Sequence, residues 1–276
     1  MIPARHAMTS IQPDDSWNKG DPYEMYVGRW SCLVADEFLT WLNLPPSLRW
    51  LDVGCGTGAL TAAISARCRP ARLTGIEPSQ GFLDKARERL ADKAELRLGN
   101  AMELPLPDAS VDVVVSGLVL NFVPNPASGL AHMRRKCAAG ATIAAYVWDY
   151  AQKMELMRHF WDAAVELDPE ARKLDEGVRF PLCRPDALKD AFQGAGLTEI
   201  SVAPIEVDTR FRDFDDYWNP FLGGQGPAPA YTMSLDETSR LRLRDRIRER
   251  LPTQRDGTIP LVARAWAVRG RVTAAD

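Results

Sequence analysis

Between residues 47 and 271 short apolar runs alternate with stretches of helical period, the pattern of a parallel sheet whose strands are joined by crossover helices. Apolar runs at 48–53, 72–77, 95–98, 111–116 and 141–148 predict five strands. Helices are expected over 59–67, over 80–91, where Phe82, Leu83, Ala86 and Leu90 share a face, and over 126–136, opened by Pro126. Beyond the fifth strand the order changes. Helices are predicted over 153–167, with Leu156, Phe160 and Val165 inward, and over 185–194, with Leu188, Ala191 and Phe192 inward. Two longer strands follow at 198–210 and 261–271. They are separated by an excursion whose body is 213–257, too long for a plain loop. The excursion carries its own helix, 236–251, and a breaker at 223–229 (GGQGPAP).

Composition narrows the class. Lys and Arg number 34 against 37 Asp and Glu, a net charge of −3 that supplies no generic attraction to nucleic acid or anionic membranes. A small-molecule substrate is therefore expected, with neither a nucleic-acid nor a membrane partner. The five cysteines are never paired as C-x-x-C, and His6, His132 and His159 lack the spacing of helical metal ligands, so no disulfide framework or metal is expected. No window approaches the roughly 18 apolar residues of a membrane helix, and residues 1–10 lack the apolar core of a signal peptide. A cytoplasmic protein with a flexible N-terminus over 1–20 is expected, and the sequence fits a monomer or a homodimer. The aromatics are uneven. Only Phe82, Phe122 and Tyr146 of the 23 fall between 51 and 147, and all eight Trp lie outside, which separates a small-residue half from aromatic flanks.

The chemistry concentrates in Leu51-Asp52-Val53-Gly54-Cys55-Gly56-Thr57-Gly58, directly after a strand and before a helix. Glycines there permit a tight turn, let a ligand approach the main chain and leave helix N–H groups facing it. Gly54, Gly56, Ala59 and Glu77 also satisfy the letters of a nicotinamide-dinucleotide fingerprint. Asp52 does not suit that reading. A carboxylate at the strand end would repel a pyrophosphate and attract an ammonium group, so the arrangement suits a ligand with a cationic amino-acid end.

The chain resembles the class I S-adenosylmethionine-dependent methyltransferases, in the small-molecule branch that includes ubiquinone-biosynthesis-like enzymes. The resemblance runs from about Tyr23 to Arg271 and rests on LDVGCGTG (51–58), TGIEPS (74–79), GNAMELPLPDASVD (99–112) and VVVSGLVLNFV (113–123) in that order. It implies one α/β domain over 21–271. The expected fold is a Rossmann-like, doubly wound, seven-stranded sheet, mostly parallel with an antiparallel last strand. A helical cap is expected from 21–46 and 213–257. It also implies S-adenosyl-L-methionine as cofactor. Gly54, Cys55, Gly56 and Gly58 would line its methionine portion, with Asp52 near the ammonium and Arg29 a candidate partner of the carboxylate. Glu77 would accept from both ribose hydroxyls, and Pro78 and Ser79 would flank the adenine. Asn100, Ala101 and Met102 follow the third strand; the family often has Asp-Ala there, so Asn100 is a departure. Ser116, Gly117 and Leu118 would adjoin the reacting methyl.

The acceptor is less legible. An Asn/Asp-Pro-Pro-Tyr motif and a Pro-Cys pair are missing, which argues against amino methylation of adenine or glutamine and against pyrimidine C5 chemistry; Cys183 reads as core. Candidate catalytic groups are His159, Tyr23 and Tyr26. Candidate walls of an acceptor pocket are Tyr23, Trp30, Asn121, Phe122, Trp148, Tyr150, Trp218 and Phe221. Arg240, Arg242, Arg244, Arg246, Arg248 and Arg250 spread around the excursion helix rather than forming one stripe, which fits a solvated lid better than an RNA contact. The resulting expectation is methyl transfer to a small molecule. A nicotinamide-dependent oxidoreductase, a non-catalytic cofactor-binding regulator and an RNA methyltransferase stand as the alternatives.

Overall fold

A computed structural model describes residues 24–223 and 226–273, with side chains from Tyr26 onward. Seven strands form one sheet: β1 (Arg49–Val53), β2 (Arg72–Glu77), β3 (Glu95–Leu98), β4 (Val111–Gly117), β5 (Cys137–Trp148), β6 (Thr198–Phe211) and β7 (Ile259–Arg271). Their order is β3-β2-β1-β4-β5-β7-β6, and only the contacts of β7 are antiparallel. The reversal of order beside β1 opens a crevice at the carboxyl ends of β1 and β4, where ligands bind in open α/β sheets.

The helices divide between the two faces. The first, α1 (Arg29–Leu42), follows a π-helical turn at Glu24–Gly28 and packs with α2 (Ala59–Arg67), which in turn meets α3 (Gln80–Leu90). On the opposite face α4 (Pro126–Lys136) meets the later α7 (Pro185–Gly194). Their limits follow local chemistry. Ser79 caps α3 by accepting from the Phe82 N–H, and Asn125 caps α4 by accepting from Ser128, with Pro126 in the first turn.

After β5 come α5 (Glu155–Leu167), the single turn α6 (Glu176–Arg179), and α7. The excursion holds α8 (Phe214–Trp218), α9 (Pro227–Ser234) and α10 (Glu237–Arg250). It is docked on α5. Phe221 stacks on Phe160 at 4.6 Å, Tyr217 Oη donates to the Leu156 carbonyl, and Leu243 and Ile247 are buried. Several of the arginines tie this helix down: Arg246 and Arg250 both bind Glu166, Arg240 donates to the Thr232 and Leu235 carbonyls, and Arg248 lies over the Phe214 ring.

Of the boundaries that differ from expectation, two have a clear local cause. β5 begins four residues earlier than 141 because a bulge, with Gly140 at φ 75°, lets Cys137 pair with Val111 before regular pairing resumes at Thr142. The expected breaker at 223–229 ends at Gly226 (φ 86°), where Pro227 opens a helix, the position at which proline favours one. The expected flexible segment 1–20 lies outside the described residues, and among those described no helix is long and apolar enough to cross a membrane.

Candidate functional site

A cavity sits at the carboxyl edge of the sheet, over the glycine turn that joins β1 to α2. Gly54, Gly56 and Gly58 all have positive φ (75°, 55° and 87°), a conformation that side chains resist. The turn is pinned from below, since Gly54 and Cys55 N–H both donate to the Ile76 carbonyl. A Cβ on Gly54 would stand 2.5 Å from Val119, whereas one on Gly56 would meet nothing within 4 Å. Gly56 therefore presents an open face to the cavity and Gly54 a packed one.

Two carboxyl groups flank this turn. Asp52 is 1% exposed; its Oδ2 accepts from Thr61 Oγ1 at 2.6 Å, while the buried Oδ1 has no partner among the described residues. Burial pushes its pKa up to about 7, opposed by the Thr61 hydrogen bond and reinforced by the negative charge of Glu77. At the end of β2, Glu77 accepts from Gly56 N–H through Oε2 (3.0 Å) and from Ser79 N–H through Oε1 (2.9 Å). Burial raises its pKa too, against the pull of those two N–H groups. The carboxylate is thus fixed in orientation, and each oxygen keeps a lone pair for a ligand donor. Pro78 and Phe82 complete this end of the wall.

The other end is apolar and aromatic. It is built from Leu118, Val119 and Phe122 after β4, Tyr146, Trp148 and Tyr150 along and after β5, Met157 of α5, and Val27 at the N-terminal side. Leu118 has φ 62° without being glycine, and its N–H donates to the Tyr146 carbonyl. Next to it, a Cβ on Gly117 would meet Tyr146 Oη at 2.6 Å. Backbone strain of this kind concentrates where a chain must approach a ligand or a neighbouring ring.

Of the residues expected from sequence, Asp52, Gly54, Cys55, Gly56, Glu77, Pro78, Gly117, Leu118, Phe122, Trp148 and Tyr150 share this one cavity. Others stand behind it. Gly58 packs on Leu90 and Ala86, Ser79 is a helix cap, and Ser116 Oγ donates to the Val53 carbonyl, joining β4 to β1. Asn100 turns its carbonyl oxygen onto the Met102 N–H, Ala101 is buried, and Met102 is half-buried outside the wall. Asn121 adjoins Phe122, with both amide atoms buried and without partners among the described residues.

Several expected site residues belong to the cap instead. Arg29 donates to Asp216 Oδ1 at 2.9 Å, lies between the Trp30 and Phe211 rings and is not among the residues lining the cavity, while its buried Nε has no partner among the described residues. Trp30, Trp218 and Phe221 are packed among other aromatic rings away from the wall, because the cap has its own core to fill. His159 faces the charges of Glu155, Asp162 and Arg250, and burial lowers its pKa. It is not in the wall. Tyr26 is buried against Phe221 beside Val27, and Tyr23 lies outside the described residues. Cys183 is 2% exposed, as a core thiol should be. The sequence did not single out Ser31, Phe82, Val119, Tyr146 and Met157, among others, as lining residues. Val119 follows directly on Gly117 and Leu118 and lies within reach of the motif, whereas Ser31 and Met157 join the wall only through tertiary packing.

Residues 51–145 match a protein-family model described as a methyltransferase domain. Among curated proteins, a demethylmenaquinone methyltransferase of Symbiobacterium thermophilum is 36% identical over 122 residues, 42% of this chain and 48% of that protein. The chain thus spans about half the length of that relative. Among solved structures, a Bacillus halodurans protein assigned as a methyltransferase aligns over 87% of this chain and 99% of its own, with TM-score 0.58 and 13% identity. A Haemonchus contortus phosphoethanolamine N-methyltransferase, solved with S-adenosylhomocysteine, aligns over 92% of this chain and 56% of its own, with TM-score 0.55 and 13% identity.

Proposed function

We propose, from the match of residues 51–145 to a methyltransferase domain, that the chain is an S-adenosylmethionine-dependent methyltransferase acting on a small molecule. The observation that carries the reading is the unpartnered, buried Oδ1 of Asp52, placed in one cavity with the doubly held carboxylate of Glu77. A buried acceptor without a partner is costly, so a cationic donor there is favoured over an anionic one. The pair suits a ligand with an ammonium at one end and a vicinal diol at the other. It suits a pyrophosphate poorly, which disfavours the nicotinamide reading.

In this reading Asp52 Oδ1 receives the amino group, Glu77 the ribose hydroxyls, and Pro78 and Phe82 border the adenine. Bound there, S-adenosylmethionine supplies a methyl group already activated on a sulfonium. The chain's own residues then have to hold the acceptor in line and exclude water, which the walls of Leu118, Phe122, Trp148 and Tyr150 are shaped to do. Among the described residues of the distal wall the ionisable side chains are the phenols of Tyr146 and Tyr150. Rate enhancement in this reading rests on placement and desolvation more than on a strong base.

Isothermal titration tests the cofactor. S-adenosylhomocysteine should bind, and NAD(H) should not. Binding of NAD(H) without S-adenosylhomocysteine would overturn the proposal.

A further inference from the structure

The cavity has a one-sided charge. Its described wall contains the carboxyl groups of Asp52 and Glu77 and no Lys, Arg or His. Guanidinium groups do stand around it, each on a partner of its own. Arg29 binds Asp216, Arg158 binds both oxygens of Asp175 and the Tyr150 carbonyl, and Arg264 binds Asp149 and Glu206. Arg89 reaches Thr57 at the glycine end, away from the aromatic chamber. The helix packed on the Tyr150 carbonyl brings a further acid, Glu176, which is 2% exposed and takes the Trp161 indole N–H. Arg179 lies 5.2 Å over the Phe180 ring and is not among the lining residues, so an anion entering the aromatic end would lose its water without a lining cation in exchange.

From this charge distribution and the ring-lined end we propose that the acceptor is an uncharged planar molecule, and that carboxylate- or phosphate-bearing acceptors are rejected electrostatically. This rests on the methyl-transfer reading of the same cavity. Planarity follows from the walls: the lining rings are Phe122, Tyr146, Trp148 and Tyr150, with Phe122 and Tyr150 both held by Phe180, itself outside the lining, at 5.1 and 5.7 Å, so the chamber offers ring faces and edges. Rejection by unpaired charge is a stronger filter than a change in apolar fit.

The test uses the full chain saturated with S-adenosylhomocysteine. Failure of that ligand to bind would remove the underlying reading, not this one. With it bound, calorimetry compares 2-naphthol with 6-hydroxy-2-naphthoate and 4-ethylphenol with 4-hydroxyphenylacetate near neutral pH. The neutral member of each pair should bind at least tenfold more tightly. Equal or tighter binding of the carboxylates, no binding of either neutral compound, or a tenfold preference for 2-naphthylmethylammonium over 2-naphthol would each overturn the proposal. As a gain-of-function arm, Val119→Lys should reverse the preference within the naphthalene pair. Should that variant misfold, Met157→Lys places the same charge on another wall, and the wild-type comparison stands without either.

Discussion

The two ends of the cavity are made in opposite ways. The glycine end is built by main chain: three positive-φ glycines, two N–H groups converging on Ile76, and two more converging on Glu77. The distal end is built by side chains from the loop after β4, from β5 and from α5, and it is backed by a cap with its own aromatic core. Main-chain geometry tolerates little change of residue. A side-chain wall can be rebuilt by substitution, so one fold can keep one end constant while the other changes ligand.

The sharpest way to break that comparison is Gly56→Val. The open face at Gly56 is where a ligand is expected to approach, and a branched side chain would both fill it and oppose φ 55°. Binding of S-adenosylhomocysteine should fall beyond detection by calorimetry while circular dichroism still reports a folded chain. Retained binding would show that the glycine end is not the cofactor cradle. Glu77→Ala comes next. Losing the diol acceptor should weaken binding by about 1–3 kcal/mol, and unchanged affinity would remove Glu77 from the site.

The same contrast explains what the sequence disclosed. Every expected strand exists, and the glycine turn with Asp52 and Glu77 lies where the motif placed it, because these features depend on residues adjacent in the chain. Legibility stops where contacts become long-range. Arg29 has the right charge for a cofactor carboxylate, yet its partner, Asp216, stands 187 residues away and is invisible to local pattern. Trp218 and Phe221 look like pocket residues in a list of aromatics and fill the core between the excursion and α5 instead. Met157 reaches the wall only because of how α5 crosses the sheet.

Acidity sharpens the comparison further, since Asp52 belongs to the glycine end and Glu176 to the aromatic side. Burial raises both to about 7. A carboxyl whose folded pKa exceeds its unfolded value favours the folded state most below the unfolded value, and that contribution is lost as pH rises through the folded one. The unliganded protein should therefore lose stability between about pH 4 and pH 7, and Asp52→Asn or Glu176→Gln should each flatten part of the fall in melting temperature. Only Asp52 should also move the ligand. Affinity for S-adenosylhomocysteine should rise as pH increases through about 7, and Asp52→Asn should abolish that rise while Glu176→Gln leaves it. A pH-independent wild-type affinity would detach Asp52 from the ammonium.

The smallest effect concerns the latch between the N-terminal helix and the excursion. Asp216 accepts from Arg29 side-chain and Arg212 main-chain donors, and these hold its carboxyl below the usual range although burial opposes them. The Arg29 side chain is 28% exposed, so solvent screens the pair, and Asp216→Ala should cost about 1 kcal/mol, read as a few degrees in melting temperature. Because Asp216 belongs to the cap and not to the cavity wall, affinity for S-adenosylhomocysteine should stay within twofold. A tenfold loss of affinity would mean that the cap shapes the glycine end after all, and the division between a main-chain end and a side-chain end would have to be redrawn.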